Sequence, residues 1–202
     1  MRHTRSFAAL LCLAVLCGCG TARTGGTTAT ASPSPGTPTA GPTTGAPATS
    51  TPPASPQEPA PTGTAEIDVD RSGGAPALVT GVRYAAHPAY DRVVIDLRGK
   101  IPGYTVTWAE ELLEDGSGKR IDVDGGAYLQ VILTPADAHT AKGEPTWTGG
   151  PIFQTDLGNV SSVVKTGDFE GRVGVGIVLD RRAGFEVTEQ RRPNRLVIDV
   201  AH

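Results

Sequence analysis

The chain has 202 residues, of which 38% are hydrophobic, and a formal net charge of −3. This length and composition suit one ordinary domain, and the slightly acidic balance excludes the broad basic face with which proteins bind nucleic acid. All three cysteines lie within the first 19 residues, so the rest of the chain has no cysteine for a disulfide.

The N-terminal segment has the order of residues typical of a secretory signal. Basic residues precede an apolar run over 7–15, which is too short to span a membrane. The next residues, Leu-Cys-Gly-Cys at 16–19, resemble a bacterial lipoprotein box, in which a small residue precedes a cysteine that is acylated and becomes the mature N-terminus. The resemblance implies a signal peptide over 1–18, a lipid anchor on Cys19 and a position on the extracytoplasmic face of the cell membrane. An ordinary secretory signal is the alternative.

A long segment of low complexity follows. Residues 20–63 consist almost entirely of Thr, Pro, Ala, Gly and Ser, with Arg23 and Glu58 as the only charged residues. Such a composition cannot bury a core and favours extended polyproline II conformations. The sequence therefore predicts that residues 19–63 are a lipidated cysteine and a disordered linker.

Residues 64–202 have the pattern of a single all-β domain. Apolar and polar residues alternate in short runs such as YTVTW, YLQVILT and FEVTE, and turn-forming residues separate the runs. One segment, WAEELLEDG at 108–116, has a composition that allows a short helix. We expect a β-sandwich with at most one short helix.

One strand pattern is written twice, as DRVVIDL at 91–97 and NRLVIDV at 194–200. Alternation places three apolar residues of each run on one face, and the arginine, one valine and the aspartate on the other. On that second face we expect pairing with charges on neighbouring strands. We interpret the repeat as one packing solution used in two halves of a sandwich. The residues concerned are Arg92, Asp96, Arg195 and Asp199.

Several segments together resemble a known family. The order of HPAYDRVVIDL, PGYTV, GSGKRIDVDGGAYLQVILTPADAH, GDFEG and the terminal RLVIDVAH is similar to the AMIN-like domain of actinobacterial lipoproteins. The final strand matches the broader AMIN pattern at Pro193, Arg195 and Asp199. The resemblance implies a β-sandwich of the cell envelope, with peptidoglycan or another envelope protein as partner.

The sequence shows no convincing catalytic or metal-binding motif, so we predict a protein that is not an enzyme and needs no cofactor or metal. DVDRSG at 68–73 begins like a calcium loop, but the twelfth position is Val79 and not glutamate. Neither His87 nor His139 has a metal-ligand spacing with another histidine or cysteine. A wall-acting hydrolase that uses Asp96 and Asp199 as its carboxylate pair is the alternative from another class.

Binding is the function that the residues support better. Aromatic residues cluster near one turn, and others are spread over the domain, where they offer a stacking surface for sugars or peptides. The predicted binding surface comprises Tyr84, His87, Tyr90, Arg92 and Trp147. The alternative is that the aromatic residues are core and edge residues, an interpretation we favour for Tyr104 and Trp108. Recruitment of another envelope protein through an exposed strand edge is a further hypothesis.

Overall fold

The computed structural model describes residues 58–202, so the predicted signal peptide, Cys19 and nearly all of the predicted linker lie outside the described residues. Within this range the secondary structure is entirely β, and it includes no helix that could cross a membrane. The strands are β1 (Ile67–Val69), β2 (Ala77–Ala86), β3 (Tyr90–Arg98), β4 (Gly103–Ala109), β5 (Ala127–Thr134), β6 (Ala136–Asp137), β7 (Ile152–Gln154), β8 (Val160–Phe169), β9 (Arg172–Leu179), β10 (Phe185–Gln190) and β11 (Asn194–Ala201).

The strands form two sheets that enclose one core. Sheet A has the order β1-β4-β5-β9-β8-β7, and sheet B has the order β10-β11-β3-β2-β6. All pairs are antiparallel except β2 with β6. Fully buried side chains from both sheets, including Val93 and Ile95 of sheet B and Leu129 and Val131 of sheet A, belong to one cluster. The predicted all-β sandwich is therefore confirmed.

The two copies of the repeated strand, β3 and β11, are neighbours in sheet B. They pair antiparallel, so Arg92 lies opposite Asp199 and Asp96 lies opposite Arg195. The interpretation that the repeat serves two halves of the sandwich is therefore wrong. Because an antiparallel pair sets the start of one strand against the end of the other, a strand with arginine first and aspartate last matches its own copy.

The segment that allows a short helix, 108–116, is not helical. Trp108 still belongs to β4, and the chain then turns back through an isolated bridge between Leu113 and Arg120. Leu112 packs on the outer face of sheet A against Val164 and Val178. Glutamate and leucine are good helix formers, but the burial of Leu112 against sheet A outweighs that local preference.

A buried carboxylate connects the two sheets. Asp91, at the start of β3, is fully buried and accepts hydrogen bonds from the backbone N–H groups of Gly158, Asn159 and Val160 at 3.2, 2.6 and 2.8 Å. These residues begin β8 or lead into it, so one side chain of sheet B fixes the entry into a strand of sheet A.

Candidate functional site

The outer face of sheet B carries a charged ladder, which we define as Arg83, Arg92, Asp96, Arg195 and Asp199. Arg92 donates two hydrogen bonds to Asp199, at 2.7 and 2.8 Å. Arg83 donates two to Asp96, at 2.6 and 2.8 Å, and Arg195 donates a third at 3.0 Å. The predicted pairing between neighbouring strands is thus present for all four residues of the repeat.

The charged ladder lacks two features of the glycosidase carboxylate pair. Hydrogen bonds from Arg83 lower the pKa of Asp96, whereas a general acid needs a raised pKa. Asp199 lies opposite Arg92 of β3, and Arg92 is four residues from Asp96 along that strand. The two carboxylates are therefore about 13 Å apart along the strand direction. Glycosidase carboxyl groups are about 5–9.5 Å apart. These features favour a bracing role for Asp96 and Asp199.

We predict that Asp199→Asn lowers the free energy of unfolding by about 1 kcal/mol, because it removes a partly exposed two-bond ion pair with Arg92. The melting temperature should fall by a few degrees. Retention on cell-wall sacculi, per folded molecule, should not change. Glu186→Gln is the matched control, since Glu186 lies opposite Asp199 on β10 and is exposed. Unchanged melting together with lost retention would show that Asp199 belongs to a binding site.

The predicted aromatic cluster at the β2–β3 turn exists, but its centre is buried. The rings of His87 and Tyr90 stack with centroids 4.6 Å apart, and Tyr90 is only 2% exposed. Burial raises the pKa of Tyr90 to about 12. Its hydroxyl donates to the Glu58 carboxylate and accepts a hydrogen bond from Arg92 at 3.1 Å. The cluster therefore attaches the last part of the predicted linker to sheet B.

Two members of the predicted binding surface are not on the surface. Trp147 is 4% exposed and stacks on Phe153, and Tyr90 is buried beneath His87 and Arg92. Tyr84 keeps 37% of its surface exposed while its hydroxyl donates to the carbonyl of Gln154. The predicted binding surface is wrong for these two residues, because the loop between β6 and β7 folds Trp147 into the core, and His87, Arg92 and Glu58 cover Tyr90.

Tyr104 and Trp108 are core and edge residues, as the alternative interpretation of the aromatic residues predicts. Tyr104 is 7% exposed and belongs to the core. Trp108 is partly buried, and its indole N–H donates to the carbonyl of Thr64 at 3.0 Å. The guanidinium of Arg182 lies 4.2 Å from the Trp108 ring centroid.

An open cavity of about 630 Å³ lies beside β1 and the start of β4. Arg71 is held there by a hydrogen bond to the carbonyl of Pro102 and an ion pair with Glu189. Arg172 is exposed, and within residues 58–202 it forms no ion pair. The cavity, which sequence reasoning missed, is lined by Arg71, Ser72, Tyr104, Thr105, Thr134 and Arg172, among others.

The segment DVDRSG borders this cavity. Asp68 lies in β1, which pairs with β4 opposite Thr105, and Asp68 and Asp70 both line the cavity. The segment is thus an edge strand followed by a turn, as the missing glutamate at the twelfth position suggests. Two acidic side chains and two arginines border the same opening, so the cavity offers both signs of charge to a ligand.

A second group of polar side chains gathers near the end of β8. Asp137, His139 and Asp168 each offer one metal-ligating atom, and these atoms lie within 4.8 Å of one another. The Nδ1 atom of His139 is 2.8 Å from Oδ2 of Asp168, and this hydrogen bond raises the pKa of His139. No spacing in the sequence indicates this group, because its residues come from PADAH and GDFEG, which are far apart in the chain.

The sandwich, the pair of repeated strands and their charged ladder define a small all-β domain of the kind that the sequence resembles. The model of the AMIN-like domain family matches residues 77–202, which is more than half of the chain. The chain therefore belongs to the AMIN-like domain family. No curated protein and no solved structure matches it.

Proposed function

We propose that this protein is a membrane-anchored lipoprotein of the cell envelope whose AMIN-like domain binds or scaffolds at the cell wall, with peptidoglycan as its ligand. The observation that carries the proposal is the family match over residues 77–202. AMIN domains are in general associated with peptidoglycan and the envelope. The lipoprotein-like leader and the segment rich in proline and threonine that precede the domain suit that location.

The contacts of Glu58 set the length of the proposed tether. Because Glu58 is held by Tyr90 and Arg92, the segment between Cys19 and the folded domain is 20–57. These 38 residues would span about 120 Å if fully extended as polyproline II, and about 35 Å as a flexible coil. The domain would therefore reach wall polymer well beyond the lipid headgroups.

The open cavity beside β1 is the surface that best suits a peptidoglycan ligand. Stem peptides of peptidoglycan carry carboxylates, amides and, before cross-linking, a free amine. Arg172 has no ion-pair partner within the described residues and suits a carboxylate, while Asp68 and Asp70 suit an amine. Hydroxyl groups on Ser72 and Thr105 line the same cavity and suit amides.

Retention on purified sacculi tests both the function and the surface. Wild-type protein should sediment with sacculi, and Arg172→Gln should weaken retention about tenfold, as expected for one lost charge-assisted hydrogen bond. Arg181→Gln is the control, because Arg181 is exposed and does not line the cavity. No retention of the wild type would overturn wall binding, whereas equal retention of both variants would overturn only the assignment to the cavity.

The same assay separates the alternatives. Purified sacculi contain no other envelope proteins, so a recruiter that acts through a strand edge would not be retained. Strand β10 is the edge that would serve such a recruiter, because it has six residues and pairs only with β11. A hydrolase would release soluble fragments during incubation, and under our proposal no release is expected.

A further inference from the structure

Three side chains with metal-ligating atoms converge at one place outside the cavity. Asp137 ends β6, His139 follows two residues later, and Asp168 lies near the end of β8. Their ligating atoms, one from each residue, are all within 4.8 Å of one another. One bound ion could therefore contact an imidazole nitrogen and two carboxylate oxygens at the same time.

The backbone around these residues is fixed by hydrogen bonds that do not depend on a metal. The N–H of Ala136 donates to the carbonyl of Gly171 at 2.8 Å, which joins the two segments. The N–H of Thr146 donates to the carbonyl of Ala138 at 2.8 Å, and His139 forms a bridge with Pro145. The three ligands are thus positioned in advance, so binding would require little ordering.

Asp168 is also oriented toward the group. Its Oδ1 accepts a hydrogen bond from the N–H of Ala138 at 3.0 Å, which directs Oδ2 toward His139. The side chain of Asp168 is 14% exposed, while that of His139 is 42% exposed. One ligand is therefore anchored in the sheet, and another remains accessible to an ion from solvent.

The charges near the group favour a cation. Asp137 and Asp168 bring two negative charges, and the positive charge near His139 is that of Lys165. The Lys165 ammonium lies 5.8 Å from the ring centroid of Trp147, an interaction that holds it near that ring. With a neutral imidazole, the three ligands and Lys165 together have a net charge of −1.

The donor atoms select the class of metal. Mg²⁺ and Ca²⁺ prefer oxygen ligands only, whereas Zn²⁺ and its first-row neighbours bind imidazole and carboxylate together. Three protein ligands leave at least one coordination position of Zn²⁺ for water or for a ligand.

We propose that Asp137, His139 and Asp168 form a binding site for a divalent transition metal, Zn²⁺ in the first instance. This site is independent of the proposed wall binding, because none of its three residues lines the cavity beside β1. The alternative is that no metal binds, and that His139 and Asp168 form only an internal ion pair with each other.

Metal titration of the full chain tests the proposal. The protein, purified in detergent and stripped with a chelator, is titrated with Zn²⁺, Mn²⁺, Mg²⁺ and Ca²⁺ by calorimetry. We expect this site to bind one Zn²⁺ per chain. Its affinity for Mg²⁺ and Ca²⁺ should be lower by a factor of at least about ten. The melting temperature should rise with Zn²⁺, since a ligand that binds only the folded state stabilises it.

Two variants and one control connect the binding to the named residues. His139→Ala and Asp137→Asn should each weaken Zn²⁺ binding at least about tenfold, the minimum loss seen even for residues that only support a metal ligand. Asp137→Asn is the milder change, because within residues 58–202 the Asp137 carboxylate takes part in no ion pair with a cationic side chain. His87→Ala is the control for general histidine binding, and circular dichroism checks each fold.

Two results would overturn the proposal. One is that the wild type binds Zn²⁺ no more tightly than Asp137→Asn does. In that case the group would be only the internal ion pair between His139 and Asp168. The other is equal affinity for Mg²⁺ or Ca²⁺ and Zn²⁺, which would contradict a role for the imidazole. Zn²⁺ bound elsewhere on the chain would be the same in all variants, and so does not affect the comparison.

Discussion

Replacing Asp91 by alanine should lower the free energy of unfolding by about 3 kcal/mol or more, the largest effect we expect from a single polar residue here. Its buried carboxylate accepts hydrogen bonds from three consecutive backbone N–H groups, those of Gly158, Asn159 and Val160. Without it, these donors would lose their acceptor, and buried donors that are left unsatisfied cost about 1–3 kcal/mol each.

Chemical denaturation of wild type and variants measures the change in free energy of unfolding, and thermal denaturation measures the change in melting temperature. The melting temperature of Asp91→Ala should fall by about 10 °C, and Asp91→Asn, which keeps one acceptor oxygen, should be intermediate. Asp124→Ala is the matched control, because Asp124 is exposed and its loss should change stability by less than about 0.5 kcal/mol. If Asp91→Ala were as stable as this control, the carboxylate would not hold the two sheets together.

Changing Cys19 to serine should release nearly all of the protein from the membrane fraction. Under the proposed function, Cys19 carries the acyl chains, and several chains bind a bilayer far more strongly than the marginal hold of one. Serine has no thiol to form the thioether, so the variant would keep neither the anchor nor normal processing.

Fractionation and mass spectrometry of the N-terminal peptide check this prediction. Cys17→Ser is the matched control, because it changes a neighbouring cysteine and leaves the acylated position intact. The control should remain in the membrane fraction and need detergent for extraction. A Cys19→Ser protein that behaves in the same way would show that the anchor assignment is wrong.

The sequence by itself was sufficient for the fold class. Alternation in YLQVILT and FEVTE predicts strands, because a strand that buries one face must alternate, and both segments are strands in the structure. The family was also evident from local patterns, above all from the arginine and aspartate residues of β3 and β11. These features depend on the period of a single strand, which a sequence shows directly.

Only the tertiary structure decided which strands are neighbours and which side chains meet. The repeat suggested two halves of a sandwich, and strand pairing placed both copies side by side. Trp147 suggested a surface residue, and packing of the sandwich buried it against Phe153. Asp137, His139 and Asp168 gave no signal, since separate segments contribute them. Contacts between residues far apart in the chain depend on the order and register of strands, and local residue patterns do not encode that order.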